Sequence, residues 1–435
     1  MRILVGAGEI AGQISTIADG FRQLGHHVTT VIRYRNPLYP DIEYDIDLSS
    51  EIIRSPRSIA RSKSLPIRIP RYLITQSAKW PKILKLIASH DVFFFQYLSL
   101  LSANRDYPLI KKFDKRIISF FVGDDVRHSS AFDQQYGFLF NSEEGAKGMR
   151  DFQRDYPVAG PLRNLRMAEL YSDLIVNAET QSGLALRPYT RSLHFLDLSK
   201  YQHRIPAREV PVIVHAPSAK DWKGTNVILA ALERLRSEGV AFDLRLLHGV
   251  PNEQVITELQ DADVAIDQLY LFIYGKFGVE AMASGCALAT SNREECESLP
   301  PNRPVWHIDA GGVYNQLKSL LTDQELRVRL AREGRRYVER YHDHMKVARY
   351  YLENLEAEPA KQHHFYPTFF ARHYRLPEGE KISPYLKKMT AKIVRRWGLP
   401  EDVDPRDMIA RGLMANNLAS LNAVPRWELP ASVLR

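Results

Sequence analysis

The chain has 435 residues, more than one ordinary core holds, so two domains are expected. Hydrophobic residues make up 45% and charged residues 25%, the balance of a globular protein, and no run is long and apolar enough for a membrane-spanning helix. The net charge is +8, and two cysteines, Cys286 and Cys296, exclude a disulfide framework and fit a reducing, cytoplasmic setting.

Met1-Arg2-Ile3-Leu4-Val5 reads as running directly into a strand, so no signal peptide is expected. Alternating patterns predict strands at Arg2–Val5, Val28–Ile32, Asp91–Gln96, Arg116–Phe121, Asp173–Asn177 and Ser192–Phe195. Helices separate them. Ile14, Ile17, Ala18, Phe21 and Leu24 recur at helical spacing over Ile14–Leu24, and another helix is expected near Pro161–Tyr171. After the polar stretch Lys200–Glu209 the alternation restarts. Strands are predicted at Val212–Ala216, Leu244–Leu247, Val264–Asp267, Ala287–Thr290 and Val305–Ile308. The second set of helices falls at Thr225–Ser237, Asn252–Gln260, Val279–Ala283, Gly312–Leu321 and Asp323–Tyr341. Two such βα sets predict an α/β chain of two Rossmann-like domains, over residues 1–200 and 201–345. Residues 346–435 form a crossover helix and a C-terminal helical appendage, with short helices near Ser383–Trp397 and Pro405–Leu421.

From Ile52 to Tyr72 the basic residues are Arg54, Arg57, Arg61, Lys63, Arg68 and Arg71, with no acid among them; Lys79, Lys82 and Lys85 follow. This is either a solvated face or a patch across residues 54–85 for an anionic membrane surface or a phosphate-bearing acceptor. Aromatic residues are not interleaved with these charges, so nucleic acid is not expected as a partner.

Four segments carry chemistry. The first, Gly6-Ala7-Gly8-Glu9-Ile10-Ala11-Gly12-Gln13, joins a strand to a helix, where small residues and helical N–H groups suit an anion. Its Gly6-x-Gly8-x-x-Ala11 spacing also matches a loose dinucleotide fingerprint. The next strand ends at Ile32-Arg33, which disfavours NAD and leaves an NADP-dependent oxidoreductase as an alternative. Tyr107 and Lys111 match a Tyr-x-x-x-Lys proton relay in letters only. The second segment, Val122-Gly123-Asp124-Asp125-Val126-Arg127, follows a strand; Asp125 and Arg127 either contact a ligand or pair within the turn. The third, Ser218-Ala219-Lys220-Asp221-Trp222-Lys223-Gly224-Thr225, places lysines at a carboxyl strand end, suited to phosphate, although by charge alone a solvated lysine is the safer reading of each. In the fourth, Asp267-Gln268-Leu269 precedes Tyr274-Gly275-Lys276-Phe277-Gly278-Val279-Glu280, a glycine-rich loop with Glu280 in the first turn of a helix. Its amides suit a diphosphate, and a carboxylate there either suits ribose hydroxyls or only complements the helix dipole. No Cys/His cluster is present, and neither a cofactor nor a metal is expected.

The second half resembles the donor domain of family 4 glycosyltransferases, retaining enzymes of GT-B fold. The likeness rests on Lys223-Gly224-Thr225, the strand Asp263–Asp267 and Gly278-Val279-Glu280-Ala281-Met282-Ala283-Ser284-Gly285. Gly8–Gly25, Gly25-His26-His27-Val28 and Tyr171–Ala178 extend it over roughly residues 1–350. The resemblance implies a UDP- or GDP-linked sugar donor and an acceptor that the sequence leaves unnamed. Lys223 would hold the diphosphate, helped by Ser218 and Lys220, and Glu280 the ribose. Tyr274, Gly275, Phe277 and Gly278 would cradle phosphate or sugar, with Gly12 and Gln13 approaching from the N-terminal side. Lys223, Glu280, Asp125 and Arg127 are the catalytic candidates.

The chain also departs from that pattern. Phe272 stands where the family often has a sugar-contacting glutamate, Ser218 where it often has arginine, and Val122 where a histidine is common. The Asp-Gln-Leu sequence matches a subset of the family. These departures leave a non-catalytic GT-B-like binding protein as a further alternative.

Overall fold

The computed structural model describes residues 1–36, 39, 42–49, 80–123, 125–139, 157–206, 208–217, 223–294, 299–358, 363–416 and 424–427. Ser218, Lys220, Asp124, Cys296 and the basic residues from Arg54 to Lys79 lie outside them.

Two parallel sheets organise the chain. The first runs β3-β2-β1-β4-β5-β6-β7, with β1 Arg2–Gly8, β2 His27–Tyr34, β3 Ile46–Asp47, β4 Val92–Gln96, β5 Arg116–Phe120, β6 Leu174–Asn177 and β7 Thr190–Arg191. The second runs β12-β11-β10-β8-β9, with β8 Val212–His215, β9 Asp243–Leu246, β10 Val264–Ile266, β11 Ala287–Thr290 and β12 Trp306–His307. All strand pairings are parallel. Strands buried on both faces explain why Val92-Phe93-Phe94-Phe95 and Ala287-Leu288-Ala289 read as continuous apolar runs rather than alternating ones.

The main helices are α1 Gln13–Gln23, α2 Ser129–Tyr136, α3 Ala159–Tyr171, α4 Thr225–Ser237, α5 Asn252–Gln260, α6 Lys276–Ser284, α7 Val313–Thr322, α8 Gln324–Tyr341, α9 His344–Glu356 and α10 Pro384–Trp397. The stripe predicted for α1 is the buried one: Ile14, Ile17, Ala18 and Phe21 are fully enclosed. Helix α9 returns to pack on α1, and Leu196 bridges to Asp343 where the chain crosses back.

Several expectations change. Ser192–Phe195 is not a strand; pairing with β6 ends at Arg191, and beyond it Leu193 and Phe195 fill the core between the sheets. The helix expected over Pro405–Leu421 covers Pro405–Ala410 and stops before Gly412, whose φ of 73° turns the chain. Helix α6 begins three residues earlier than predicted, which moves Glu280 out of its first turn; that turn carries no acid. Sequence periodicity also passed over α2, an eight-residue helix too short to show a clear stripe.

The appendage is helical and packs on the first sheet's side. Leu386, Met389, Ile393 and Val394 of α10 share a core with Leu162 and Leu165 of α3. Among the described residues no helix is long and apolar enough to cross a membrane.

Candidate functional site

In open parallel sheets, ligands bind beyond the carboxyl ends of the strands, where the strand order reverses. The first sheet reverses between β1 and β4, and the second between β8 and β10. The loops after β1, β8 and β10 carry three of the four predicted segments. They meet in one cleft made of three adjoining cavities of about 440, 360 and 260 Å³, all lined by Ala11 and Lys276.

On the first sheet's side, Ala11 (φ 57°) and Gly12 (φ 65°) turn the chain into α1. A Cβ on Gly12 would come within 2.9 Å of the Tyr39 ring, so glycine is required there for space as well as for backbone angle. The anion position at the start of α1 is filled by the protein's own carboxylate. Glu9 accepts the Gln13 N–H at 2.9 Å and the Tyr44 hydroxyl at 2.9 Å, and its burial raises its pKa against those bonds. The Gln13 side chain is buried, lines the 260 Å³ cavity, and has an amide oxygen without a hydrogen-bond partner. His194 lines the same cavity with its Nδ1 likewise unpartnered, and burial lowers its pKa to about 3, so it is a neutral imidazole.

The Asp125 carboxylate closes the turn after β5, accepting the N–H of Gly123 at 2.9 Å and of Val122 at 3.2 Å. Its backbone carbonyl accepts from Asn164 of α3 at 2.9 Å. Asp125 thus shapes the loop, while Arg127 and Val122 line the 260 Å³ cavity.

On the second sheet's side, Lys223 precedes Gly224, the N-cap of α4 in the left-handed region (φ 71°). Its Nζ donates to Asp267 Oδ1 at 2.5 Å and Gln268 Oε1 at 2.8 Å. The Asp-Gln-Leu sequence therefore grips this lysine from the end of β10. Gly275 N-caps α6, and its N–H donates to Asp267 Oδ2 at 2.9 Å. Lys276, Phe277 and Gly278 follow as the first helical residues, whose N–H groups have no acceptor one turn back. Gly278 is tightly enclosed: a Cβ there would lie 2.9 Å from the Tyr274 side chain and 3.0 Å from Leu288. Tyr274 also lines the 260 Å³ cavity, but its hydroxyl turns away, donating to Tyr337 at 3.0 Å and contacting His342 Nε2 at 3.0 Å.

Glu280 is 3% exposed and lines the two larger cavities. It accepts from the Tyr201 hydroxyl at 3.2 Å and from Asn252 Nδ2 at 3.4 Å. Burial raises its pKa, opposed chiefly by the charge of Lys276. Lys276 donates from Nζ to the Phe195 carbonyl at 2.6 Å, reaching from the second sheet's helix to the segment after β7. Desolvation brings its pKa down to about 8, with Glu280 pulling the other way.

The structure thus brings together Gly12, Gln13, Lys223, Gly275, Phe277 and Glu280, with Arg127 and Tyr274 on the wall of the 260 Å³ cavity, whereas Gly278 is packed behind the cleft and lines none of the three cavities. Sequence reasoning missed Lys276, Asp267, Tyr201, Asn252 and His194 as site residues. Lys276 and Asp267 lie inside the quoted loop; Tyr201, Asn252 and His194 belong to no motif. Arg33, needed by the dinucleotide alternative for a 2′-phosphate, is buried and donates to the Ser99 carbonyl at 2.9 Å and the Ser102 hydroxyl at 3.0 Å. Lys111 is committed to Asp173 at 2.7 Å, and the Tyr107 hydroxyl to Ser119.

No protein-family model matches the chain, and no curated protein does. Solved structures do. The sucrose-phosphate synthase of Thermosynechococcus elongatus is similar over 82% of this chain and 99% of that one, at 16% identity and a TM-score of 0.50. Lower in similarity are the catalytic domain of starch synthase IV from Arabidopsis thaliana, bound to ADP and acarbose (13% identity, 81% and 97% covered, TM-score 0.46), and WaaG, a glycosyltransferase involved in lipopolysaccharide biosynthesis (14%, 82% and 100%, TM-score 0.44). At such identities the likeness defines the fold. It is the GT-B architecture, two Rossmann-like sheets facing a cleft.

Proposed function

We propose that this chain is a glycosyltransferase that moves a sugar from a UDP- or GDP-linked donor to a saccharide, lipid or small-molecule acceptor, with retention at the anomeric carbon. One observation carries the reading. Lys223, the N-terminus of α6 and the buried Glu280 line one cleft, which supports assigning them to the diphosphate, the phosphates and the ribose in turn. Lys223, Lys276 and the amides of Lys276, Phe277 and Gly278 would carry the charge that builds on the departing diphosphate. That role is assigned to them rather than to a metal ion. Glu280 would accept hydrogen bonds from ribose hydroxyls. Retention rests on the family resemblance.

We further propose that the first sheet's side meets a membrane surface. Trp80 and Leu84 are 41% and 39% exposed, and Lys85 is exposed with them on the helix that follows the basic segment. Apolar side chains flanked by lysines are the composition an anionic lipid surface attracts.

Incubating the protein with UDP-, GDP- and ADP-linked sugars and measuring released nucleoside diphosphate tests the reading. Release or transfer is expected from at least one donor, and is expected to fall at least tenfold in Lys223→Ala and Glu280→Ala, about the worth of one charged hydrogen bond. Equal turnover in both variants would remove the donor site from this cleft. Turnover by the wild type would itself exclude a purely binding role.

A further inference from the structure

Asp267 sits at the end of β10 with its side chain 1% exposed. Its two oxygens take hydrogen bonds from the groups that a donor diphosphate would be offered: Oδ1 from Lys223 Nζ at 2.5 Å, and Oδ2 from the Gly275 N–H at 2.9 Å. A Cβ on Gly275 would lie 3.6 Å from Oδ2 and one on Gly278 3.4 Å, both ordinary contact distances, so the carboxylate lies close against both glycines. Gln268 completes the arrangement: its Oε1 accepts from Lys223 at 2.8 Å, while its Nε2 donates to the Ile273 carbonyl and fixes the loop that leads to Gly275.

A buried carboxylate held by a lysine and a helix N-terminus is an internal anion in an anion site. It keeps Lys223 in place while the cleft is empty. It also leaves a negative charge beside whatever phosphate arrives, because Lys223 must then be shared. Resting on the donor-site reading above, we infer that Asp267 is a positioning residue that orients Lys223 and weakens the cleft's hold on nucleoside diphosphate, which eases release of that product. A purely structural role for the same carboxylate predicts the opposite sign, since loosening Lys223 and the loop would weaken nucleotide binding.

The sign is measurable with Asp267→Asn, which keeps the shape and one acceptor while removing the charge. A unit charge about 5 Å from the diphosphate, at the effective dielectric of a partly buried site, is worth well over tenfold in affinity, and looser positioning of Lys223 offsets part of it. Titrating UDP, GDP and ADP into both proteins by calorimetry is expected to show at least tenfold tighter binding to Asp267→Asn. The same result is expected if the wild type binds too weakly to measure and the variant binds. Binding by the wild type with unchanged or weaker binding by the variant would overturn the inference and leave the donor reading standing. Binding by neither would overturn the donor reading, and this inference with it. If Asp267→Asn fails to fold, Asp267→Ser carries the same titration with the same signs.

Discussion

The ring of Phe272 stacks on that of Phe132, with centroids 6.0 Å apart and planes 22° from parallel. The Tyr136 ring meets Phe272 edge-on at 5.3 Å. Phe132 and Tyr136 lie on α2, which follows β5 of the first sheet, whereas Phe272 belongs to the loop after β10 of the second. At the position where the resemblance to family 4 glycosyltransferases leads one to expect a sugar-contacting carboxylate, this chain buries an aromatic side chain that joins the two halves. Phe272 is 1% exposed.

Phe272→Ala is therefore expected to destabilise the protein by about 3–4 kcal/mol, the usual cost of emptying an aromatic site. Phe272→Glu is expected to cost more, because it buries a charge that the Arg293 guanidinium, 5.7 Å from the ring centre, offsets only in part. The double variant with Phe132→Ala should be less destabilised than the sum of the two single variants by about 1 kcal/mol, the worth of the ring pair. Urea unfolding of the four proteins measures this; strict additivity would mean that the rings are not coupled.

Glu280 offers a second readout. With Tyr201 and Asn252 already donating to it, its remaining acceptor capacity faces the two larger cavities. A ribose hydroxyl bonded to a buried carboxylate is worth about 1.5–3 kcal/mol. The wild type is therefore expected to prefer UDP or GDP over the 2′- or 3′-deoxy form by roughly tenfold to a hundredfold, on the same scale. Glu280→Gln should erase most of that preference, and Tyr201→Phe part of it, by releasing the carboxylate. Competition binding decides the matter, and equal affinity of the wild type for all forms would remove Glu280 from the ribose.

Lys276 gives the cleft a pH dependence. Its pKa is about 8 in the empty site, so it is charged below that and increasingly neutral above it. A bound diphosphate favours the charged form and raises the pKa. Affinity is then at its full value below pH 8 and falls as pH rises through that value, by at most about tenfold per unit, until the bound-state pKa is reached. Nucleotide titrations between about pH 7 and 10 should show this fall in the wild type. Lys276→Met should bind weakly and without the fall, and Lys276→Arg should hold its affinity across the range. A wild-type profile that is flat, or that rises, would remove Lys276 from contact with the phosphates.

Much of this was readable from sequence, for identifiable reasons. Buried parallel strands announce themselves as apolar runs, and β11 falls where Ala287–Thr290 was read. Helices α4 and α5 match their predicted spans because Gly224 and Pro251 mark their starts. Lys223 and Glu280 stand out because Lys223-Gly224-Thr225 and Gly278–Gly285 resemble the donor domain of family 4 glycosyltransferases; by charge alone neither would. What stayed hidden depends on long-range packing. Tyr201 reaches Glu280 across 79 residues, and Lys276 reaches Phe195 across 81, neither with a local spacing to betray it. Ser192–Phe195 reads as a strand because Leu193 and Phe195 alternate with Ser192 and His194, a pattern that looks the same whether or not the segment pairs. Glu280 was placed a turn too early because Lys276 and Phe277, a charge and a bulky ring, read as loop, while Gly275 caps the helix just ahead of them.

The appendage has a clear dependence on one pair. Arg166 and Glu169 of α3 are 0% and 1% exposed at their side chains and bond at 2.5 Å. Arg166 Nε donates to Thr390 of α10 at 3.0 Å, and its guanidinium lies 4.7 Å from the centre of the Phe370 ring. Glu169 Oε1 takes the N–H groups of Leu186 at 2.5 Å and Arg187 at 3.1 Å, and Arg187 in turn lies over the Trp397 ring. One carboxylate therefore serves α3, the segment before β7 and, through Arg166 and Arg187, the C-terminal helices. Removing it strands a buried guanidinium and two buried amides, which costs about 3–5 kcal/mol for a broken buried pair. Replacing both ions with apolar residues of similar volume should cost much less, because no charge is left behind. Glu169→Ala is expected to lower the unfolding midpoint sharply, and the paired change Arg166→Met with Glu169→Leu to recover a large part of it. If the paired change is as damaging as Glu169→Ala alone, the amides of Leu186 and Arg187, rather than the stranded charge, dominate what Glu169 holds together.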